Sequence, residues 1–256
     1  MSAYLAEHGY ASISDLMARF AISESTARRD LQEMQQRGLL RRTRGGAYYV
    51  GTREHPLSYA IREGRFTRAK EEIGRVVAEM VRDGDSLILD GGTTTYQVAR
   101  RLRGRPLQVV TNSLPIANLL GNAPQTELVF LGGYVMPQAG VALGPHAENM
   151  LRSLTVRMAI MGTAGITEEG LFNSHLLMVE VERLMMQSAE EVVIAVDHSK
   201  FGRKSMAKLC ELGEFRHLVS DDGLEARWVN LLESCGTEVR LASTADGEDD
   251  DPGETP

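Results

Sequence analysis

Cysteine is nearly missing from this chain: Cys210 and Cys235 are its two thiols in 256 residues. They stand far apart and form no metal-ligand spacing. A disulfide framework and a zinc site are therefore excluded, and both read as ordinary thiols of a reducing cytoplasm. Long apolar runs are also missing. No stretch is long enough to span a membrane, and the N-terminus lacks the charged-then-apolar pattern of a signal peptide, so no membrane partner is expected and the location expected is cytoplasmic. Excess positive charge is lacking too: the net charge is −7, which over the whole chain argues against a nucleic-acid binder. Nucleotide fingerprints are absent, with no Gly-Lys-Ser/Thr and no third spaced glycine after Gly91-Gly92. Neither a cofactor nor a metal is expected.

What is present is the balance of an ordinary soluble protein, 43% hydrophobic and 25% charged. The length suits a small module plus one domain with a sizeable core. Charge is unevenly spread. From Arg28 to Arg44 six arginines face only Asp30 and Glu33, while from Asp246 onward the tail carries six acids and no base. A local basic patch is what a DNA contact needs.

That patch opens with Ser23-Glu24-Ser25-Thr26-Ala27-Arg28-Arg29-Asp30-Leu31. Ser23 is a good N-cap, because its hydroxyl satisfies a free N–H of the first turn. Ser25 and Thr26 place hydroxyls beside the exposed N–H groups of that turn, where a phosphate can be met. Arg28 and Arg29 carry forked guanidiniums that suit a phosphate or guanine O6 and N7. Leu31 and Met34 face inward by their spacing. Alone, these residues equally suit a solvated, Arg-rich amphipathic helix. Their neighbours separate the readings. Residues 3–8 read as the end of a first helix stopped by Gly9; it is short for a helix that must pack against two others, which points to a start upstream. Ser14 is the expected cap of a second helix through Phe20, and Ala21-Ile22 makes a tight turn before the basic helix, which should run to Gly38. Residues 39–50 read as two strands joined by Gly45-Gly46, with Arg41, Arg42 and Arg44 on one arm. Helix, turn, capped basic helix and basic hairpin make the winged helix-turn-helix pattern, expected to grip double-stranded DNA through both helix and wing.

Residues 51–66 are polar and contain Pro56, reading as a linker or a short connecting helix. A helix resumes near Thr67, with Ile73, Val76, Val77, Met80 and Val81 at helical spacing, and ends at Gly84. From Ser86 strands alternate with helices. Strands are expected at 86–90, 107–110, 127–131, 158–161, 192–196, 217–220 and 238–241, and helices at 96–102, 146–154, 176–189 and 224–234. Such alternation predicts an α/β domain with a mostly parallel sheet and helices on both faces. Ligands then sit beyond the C-terminal strand ends. Thr93, Thr94, Thr95, Asn112, Gly132, Gly162 and Lys200 all fall there, and this convergence predicts a small-molecule pocket. The loop Gly91-Gly92-Thr93-Thr94-Thr95 itself fits an ordinary tight turn as well as it fits a phosphate cradle. The domains expected are 1–50, a winged helix-turn-helix; 51–66, a linker; 67–244, an effector-sensing α/β domain; and 245–256, a disordered acidic tail.

Both halves resemble one family. Thr26-Ala27-Arg28-Arg29-Asp30-Leu31, the Arg41 to Arg44 run and Gly45-Gly46-Ala47 resemble the DNA-binding half of the DeoR family of bacterial transcription regulators, where Asp30 would hold one arginine in place. Asp90-Gly91-Gly92-Thr93-Thr94-Thr95, Thr111-Asn112-Ser113-Leu114, Leu131-Gly132-Gly133 and Asp197-His198-Ser199-Lys200-Phe201-Gly202 resemble its sensing half. The resemblance spans residues 3 to 242 and implies a sensing fold similar to ribose-5-phosphate isomerases. Carried over, Thr93, Thr94, Thr95 and Lys200 would bind the phosphoryl group of a sugar-phosphate effector and Asn112 its sugar. Asp90, Gly92, Ser113, Gly132, Gly162 and Glu180 complete the implied site. One stretch departs from the family pattern: Met178 stands where a carboxylate is expected and Glu182 where a lysine is. Either Glu180 or Glu182 supplies a displaced carboxylate, or the pocket reads a different sugar.

Two functions compete. The first is a repressor of sugar-metabolism genes, at least a homodimer and up to a homotetramer on two-fold operator half-sites, controlled by a phosphorylated sugar through the 51–66 linker. The second is a sugar-phosphate isomerase or deaminase with an appended DNA module. That chemistry needs a placed base. The related isomerases carry acids after a middle strand, where this chain has Gly162-Thr163-Ala164-Gly165, so no catalytic residue and no enzymatic activity are expected. Glu180, Glu182 and Asp197 keep the second reading open. His198 is expected at the pocket rim, and His146 and His175 to be structural or exposed.

Overall fold

The computed structural model describes residues 1, 4–5, 10–36, 40–43, 45–49 and 59–244. They form two compact units, divided between Ser58 and Tyr59. The expected tail, the 51–58 part of the expected linker, Arg44 and Gly38 lie outside the described residues.

Among its described residues, the first unit holds a three-stranded antiparallel sheet and two helices of eight residues or more. Strands β1 (Tyr10–Ser12), β2 (Leu40–Arg42) and β3 (Gly46–Tyr49) are ordered β1-β3-β2. Helix α1 runs Ile13–Phe20 and α2 runs Glu24–Gln36. The cap of α1 differs from expectation. Ser12, not Ser14, accepts from the Asp15 N–H, and the Asp15 carboxylate accepts from the Ser12 N–H, closing a capping box. Ser12 also ends β1, a strand that sequence reading missed and that pairs with the wing strand β3. The turn between α1 and α2 is as expected, with Ala21 in the left-handed region at φ 51°. Ala27, Leu31 and Met34 recur at helical spacing and close a core with Leu5, Ile13, Leu16, Leu40 and Ala47.

The second unit is α/β. Its seven strands, all parallel, are β4 (Ser86–Leu89), β5 (Leu107–Thr111), β6 (Thr126–Phe130), β9 (Val156–Met161), β12 (Ala189–Ala195), β14 (His217–Asp221) and β15 (Glu238–Ala242). They are ordered β15-β14-β12-β9-β4-β5-β6. A hairpin of β7 (Tyr134–Met136) with β8 (Val141–Leu143), and an antiparallel sheet of β10 (Gly165–Thr167), β11 (Gly170–Asn173) and β13 (Ala207–Cys210), are additions that strand-helix alternation did not reveal.

Toward their C-terminal ends β4, β9 and β12 are apolar because both faces are covered there, while Arg157 of β9 and Glu190 and Glu191 of β12 stand nearer the N-terminal ends. Leu87, Leu89, Val109, Met158, Ile160, Val193 and Ala195 enter one core with Ile73 and Val77 of α4 (Thr67–Glu79), Val98 of α5 (Thr93–Leu102) and Ile116 of α6 (Leu114–Leu120). Ile88, Val110, Ala159, Met161, Val192 and Ile194 enter the opposite core. That core also holds Leu151 of α7 (Pro145–Leu151), Val181 and Met185 of α8 (Leu176–Gln187) and Trp228 of α9 (Ala226–Ser234). Alternate residues thus leave on opposite sides, the period of two that a strand imposes. Each fully buried Leu or Ile contributes about 1.5–3 kcal/mol by leaving water.

The chain runs from β4 outward to β6, then returns beside β4 as β9 and continues the other way. The crevice between β4 and β9 is therefore the point where strand order reverses, the place where open α/β sheets bind ligands.

Candidate functional site: a basic helix and a polar strand edge

On the first unit, the start of α2 carries a cluster of hydroxyls. Ser23 Oγ accepts from the Thr26 N–H at 3.2 Å and lies 2.9 Å from both Ser25 Oγ and Thr26 Oγ1. Arg28 and Arg29 are exposed on the same helix. Arg28 is held by Glu24, one turn earlier, at 2.8 Å and 2.7 Å, and not by Asp30. An exposed pair of this kind is worth little, so an anionic partner can recruit Arg28 at small cost. Arg42 ends β2, half-buried; Arg41 lies in the same strand, where its backbone alone is described, and Arg44 lies outside the described residues.

On the second unit, Asp90 leaves β4 buried, and its carboxylate accepts from the N–H of Gly91 and, at 3.4 Å, of Gly162 at the end of β9. The two strand ends at the reversal point are thereby tied together. A Cβ at Gly91 would lie 2.0 Å from Val141 Cγ1, so any larger residue here would force the buried Val141 side chain to move. Gly92 caps α5, so Thr93, Thr94 and Thr95 form its first turn and not a loop before it. All three are buried. Thr95 Oγ1 donates to the carbonyls of Asp90 at 2.7 Å and Gly92 at 3.0 Å, which makes it a pin for the turn. Asn112, after β5, is 2% exposed, and its Oδ1 has no hydrogen-bond partner. Ser113 is used as the cap of α6, accepting from the Ile116 N–H. Gly132 follows β6, two strands from the reversal point, at φ +64°.

One correction concerns a carboxylate. Glu180 points to solvent, 57% exposed and paired with Arg183 at 3.5 Å. Glu182, two residues on, is 1% exposed and accepts from Asn173 Nδ2. Burial first, and then the Asp90 carboxylate, push Glu182 well above the usual carboxyl range, while Asn173 and Arg62 pull the other way. Asp90 is raised as well, mainly by burial. Of the two glutamates, only Glu182 is buried on the inward face of α8. His198, in the turn His198–Lys200, is held by Asp221, with Nδ1 2.6 Å from Oδ2, and not by its neighbour Asp197. His175 caps α8 by accepting from the Leu177 N–H, and His146 is exposed.

Asp197, fully buried, accepts from the N–H and hydroxyl of Ser199. Lys200 is half-buried, and burial lowers its pKa against the pull of Asp197. Two cations that sequence reading missed act on the same groups. Lys70 of α4 is 3% exposed, with its pKa pushed down to about 8 by burial. Its Nζ donates to the carbonyls of Arg62 and Arg65. Arg62 belongs to the short helix α3 (Tyr59–Glu63), and its charge interacts with Asp90 and Glu182. Lys70 left a signal, a charge on the helix face shared with Ile73 and Val77; Arg62 left none. The buried side-chain atoms without a partner include Asn112 Oδ1, Glu182 Oε2, Asp197 Oδ2 and Arg62 Nε. A ligand rich in hydroxyls and carrying negative charge would satisfy both the acceptors and the cations. Among the described residues no cluster of His, Cys, Asp and Glu could hold a metal, and no helix is long and apolar enough to cross a membrane.

A basic helix-turn-helix unit joined to an α/β unit with a polar crevice defines a ligand-responsive transcription regulator. Residues 1–53 match the DeoR-like helix-turn-helix domain and residues 65–222 the DeoR C-terminal sensor domain. The chain belongs to the DeoR family of transcription regulators. It is 31% identical over 96% of its length to the HTH-type transcriptional repressor GlcR of Bacillus subtilis, covering 95% of that protein. It is 32% identical to the glycerol-3-phosphate regulon repressor of Haemophilus influenzae, over 93% of this chain and 92% of that one. Among solved structures, ribose 5-phosphate isomerase A of Methanocaldococcus jannaschii is similar over 53% of this chain and 54% of that chain, at 19% identity and a TM-score of 0.38.

Proposed function

We propose that this regulator is a cytoplasmic repressor of sugar-metabolism genes whose effector is a phosphorylated sugar. Operator binding falls to Ser23, Ser25, Thr26, Arg28 and Arg29 of α2, with the wing arginines Arg41, Arg42 and Arg44 on adjacent backbone. Two-fold half-sites require a homodimer or homotetramer. The effector occupies the crevice between β4 and β9. Lys200 and the N–H groups of the first turn of α5 take the phosphoryl group, and Asn112 and the buried carboxyl groups take sugar hydroxyls. The observation that carries this reading is that Asn112, Glu182, Asp197 and Arg62 each keep a buried polar atom without a partner.

A thermal-shift screen of the full chain against pentose, hexose and triose monophosphates, each beside its unphosphorylated parent, tests it. A ligand that binds only the folded state raises the melting temperature. Stabilisation by one phosphorylated sugar, lost in Lys200→Ala, is expected. Equal stabilisation by the free parent refutes the phosphate role of Lys200.

A second reading, turnover of a sugar phosphate, is favoured by one feature: the paired buried carboxyls Asp90 and Glu182 resemble what proton transfer beside a carbonyl needs. Conversion of any phosphate in the panel at enzyme-like rates would replace a purely regulatory role with this one.

A further inference from the structure

The first element of the sensor unit is the short helix α3, and four contacts fasten it and the residues after it to the candidate crevice. The Tyr59 N–H donates to the Gln138 carbonyl at 2.8 Å. The Tyr59 ring stands edge-on to that of Tyr96, in α5, with centroids 6.4 Å apart. Lys70 Nζ ties down the carbonyls of Arg62 and Arg65 from within. Phe66 packs edge-on against His198, of the same turn as Lys200, with centroids 5.2 Å apart. Phe66 also holds a left-handed backbone at φ 51°, a conformation that costs energy in a residue with a side chain and persists only when its surroundings impose it. The segment 59–66 is thus a strap with a strained joint at its C-terminal end, and its N-terminal end continues along the chain into the helix-turn-helix unit.

Arg62 is the residue of this strap that reaches the crevice. Its charge interacts with Asp90 and Glu182, and its buried Nε has no hydrogen-bond partner. A guanidinium offers five donors in a fixed fork, and the partnerless Nε–H of Arg62 is one that an incoming anion can take. We infer that Arg62 is an effector-binding residue, and that the strap 59–66 is the element through which occupation of the crevice is passed to the DNA-binding unit. This rests on the crevice binding a phosphorylated sugar, as proposed above. The bound phosphate or sugar oxygen takes the Arg62 Nε–H, the guanidinium is anchored to the ligand, and the strap is held in one arrangement. Coupling of two sites requires an element that both bias, and this one is covalently continuous with one site and inserted into the other.

Hydrogen exchange on the full wild-type chain, with and without the sugar monophosphate that raises its melting temperature, is the first arm. The inference expects amides of residues 59–66 to exchange more slowly when the ligand is bound. The second arm is Arg62→Gln. Loss of one charge-assisted contact should weaken binding of that ligand roughly 10- to 100-fold in calorimetry. At ligand concentrations that saturate the variant, operator affinity should no longer respond, while Arg62→Lys should recover part of the response. Unchanged exchange over 59–66 at saturation overturns the inference, as does a full operator response in Arg62→Gln. If Arg62→Gln fails to fold, exchange in the wild type decides alone. Binding of a sugar phosphate without any response of the strap removes this inference and leaves the proposed function standing. Absence of binding by every phosphate in the panel removes both.

Discussion

Replacing Glu182 with Gln should make the protein more stable at neutral pH. The Glu182 side chain is 1% exposed, accepts one bond from Asn173, has no partner on Oε2 and stands in the field of Asp90. Ionisation there pays for burial and for repulsion by a second carboxylate, with only Asn173 and Arg62 in return. The amide keeps the shape and keeps Oε1 as acceptor for Asn173. It also turns the partnerless Oε2 into an N–H donor in the neighbourhood of Asp90. Removing a penalty of this kind is worth about 1–3 kcal/mol. For a domain of this size that raises the melting temperature by roughly 2–4 °C per kcal/mol. The pH dependence follows from the direction of the shift. Folded Glu182 keeps its proton above the ordinary value of 4.5, so above that pH the folded state binds more protons than the unfolded chain. Its contribution to wild-type stability is therefore intact below pH 4.5 and is lost as pH rises through the higher folded pKa. The advantage of Glu182→Gln should be absent near pH 4 and should grow as pH rises, read by melting curves of both proteins from pH 4 upward. A variant that melts below the wild type at pH 8 would mean that Glu182 is ionised and net-stabilised by Arg62, and would refute this account of the site.

Three further outcomes are expected. Arg28→Ala with Arg29→Ala should weaken operator binding more than about 100-fold in gel-shift titrations, since two charge-assisted contacts are lost, yet leave the melting temperature nearly unchanged because both side chains are exposed. Ser12→Ala breaks the capping box of α1 and should cost about 0.5–2 kcal/mol in chemical denaturation followed on the helix-turn-helix unit. Lys70→Met removes the donor that holds the Arg62 and Arg65 carbonyls and should destabilise the sensor unit. Because folded Lys70 releases its proton near pH 8 and unfolded lysine near 10.5, wild-type stability gains up to about 3 kcal/mol across that interval, and the deficit of Lys70→Met should widen as pH rises from 8 to 10.

What could be read from the sequence, and what could not, divides along one physical line. Strands such as β4 and β9 were legible because an apolar run bounded by Gly and polar residues suits a strand covered on both faces. The basic helix was legible because Ala27, Leu31 and Met34 repeat at helical spacing behind a capping serine. The antiparallel β10-β11-β13 sheet was not, since three- and four-residue strands offer too little pattern. At the candidate crevice, reading by motif singled out Asp90, Asn112, Gly162 and Lys200, each in the segment that directly follows a strand of the parallel sheet. It passed over Arg62 and Lys70, which reach the crevice from elements that precede the first strand of the sheet. It also left Glu180 and Glu182 as equal candidates, although helical periodicity separates them. Met178, Val181, Glu182 and Met185 share the inward face of α8, and Glu180 cannot join it. Lys70, in step with Ile73 and Val77, is the same case on α4. A charge in register with a buried stripe must be paired or pay for its desolvation. That criterion marks both Glu182 and Lys70 from spacing alone, with no motif required.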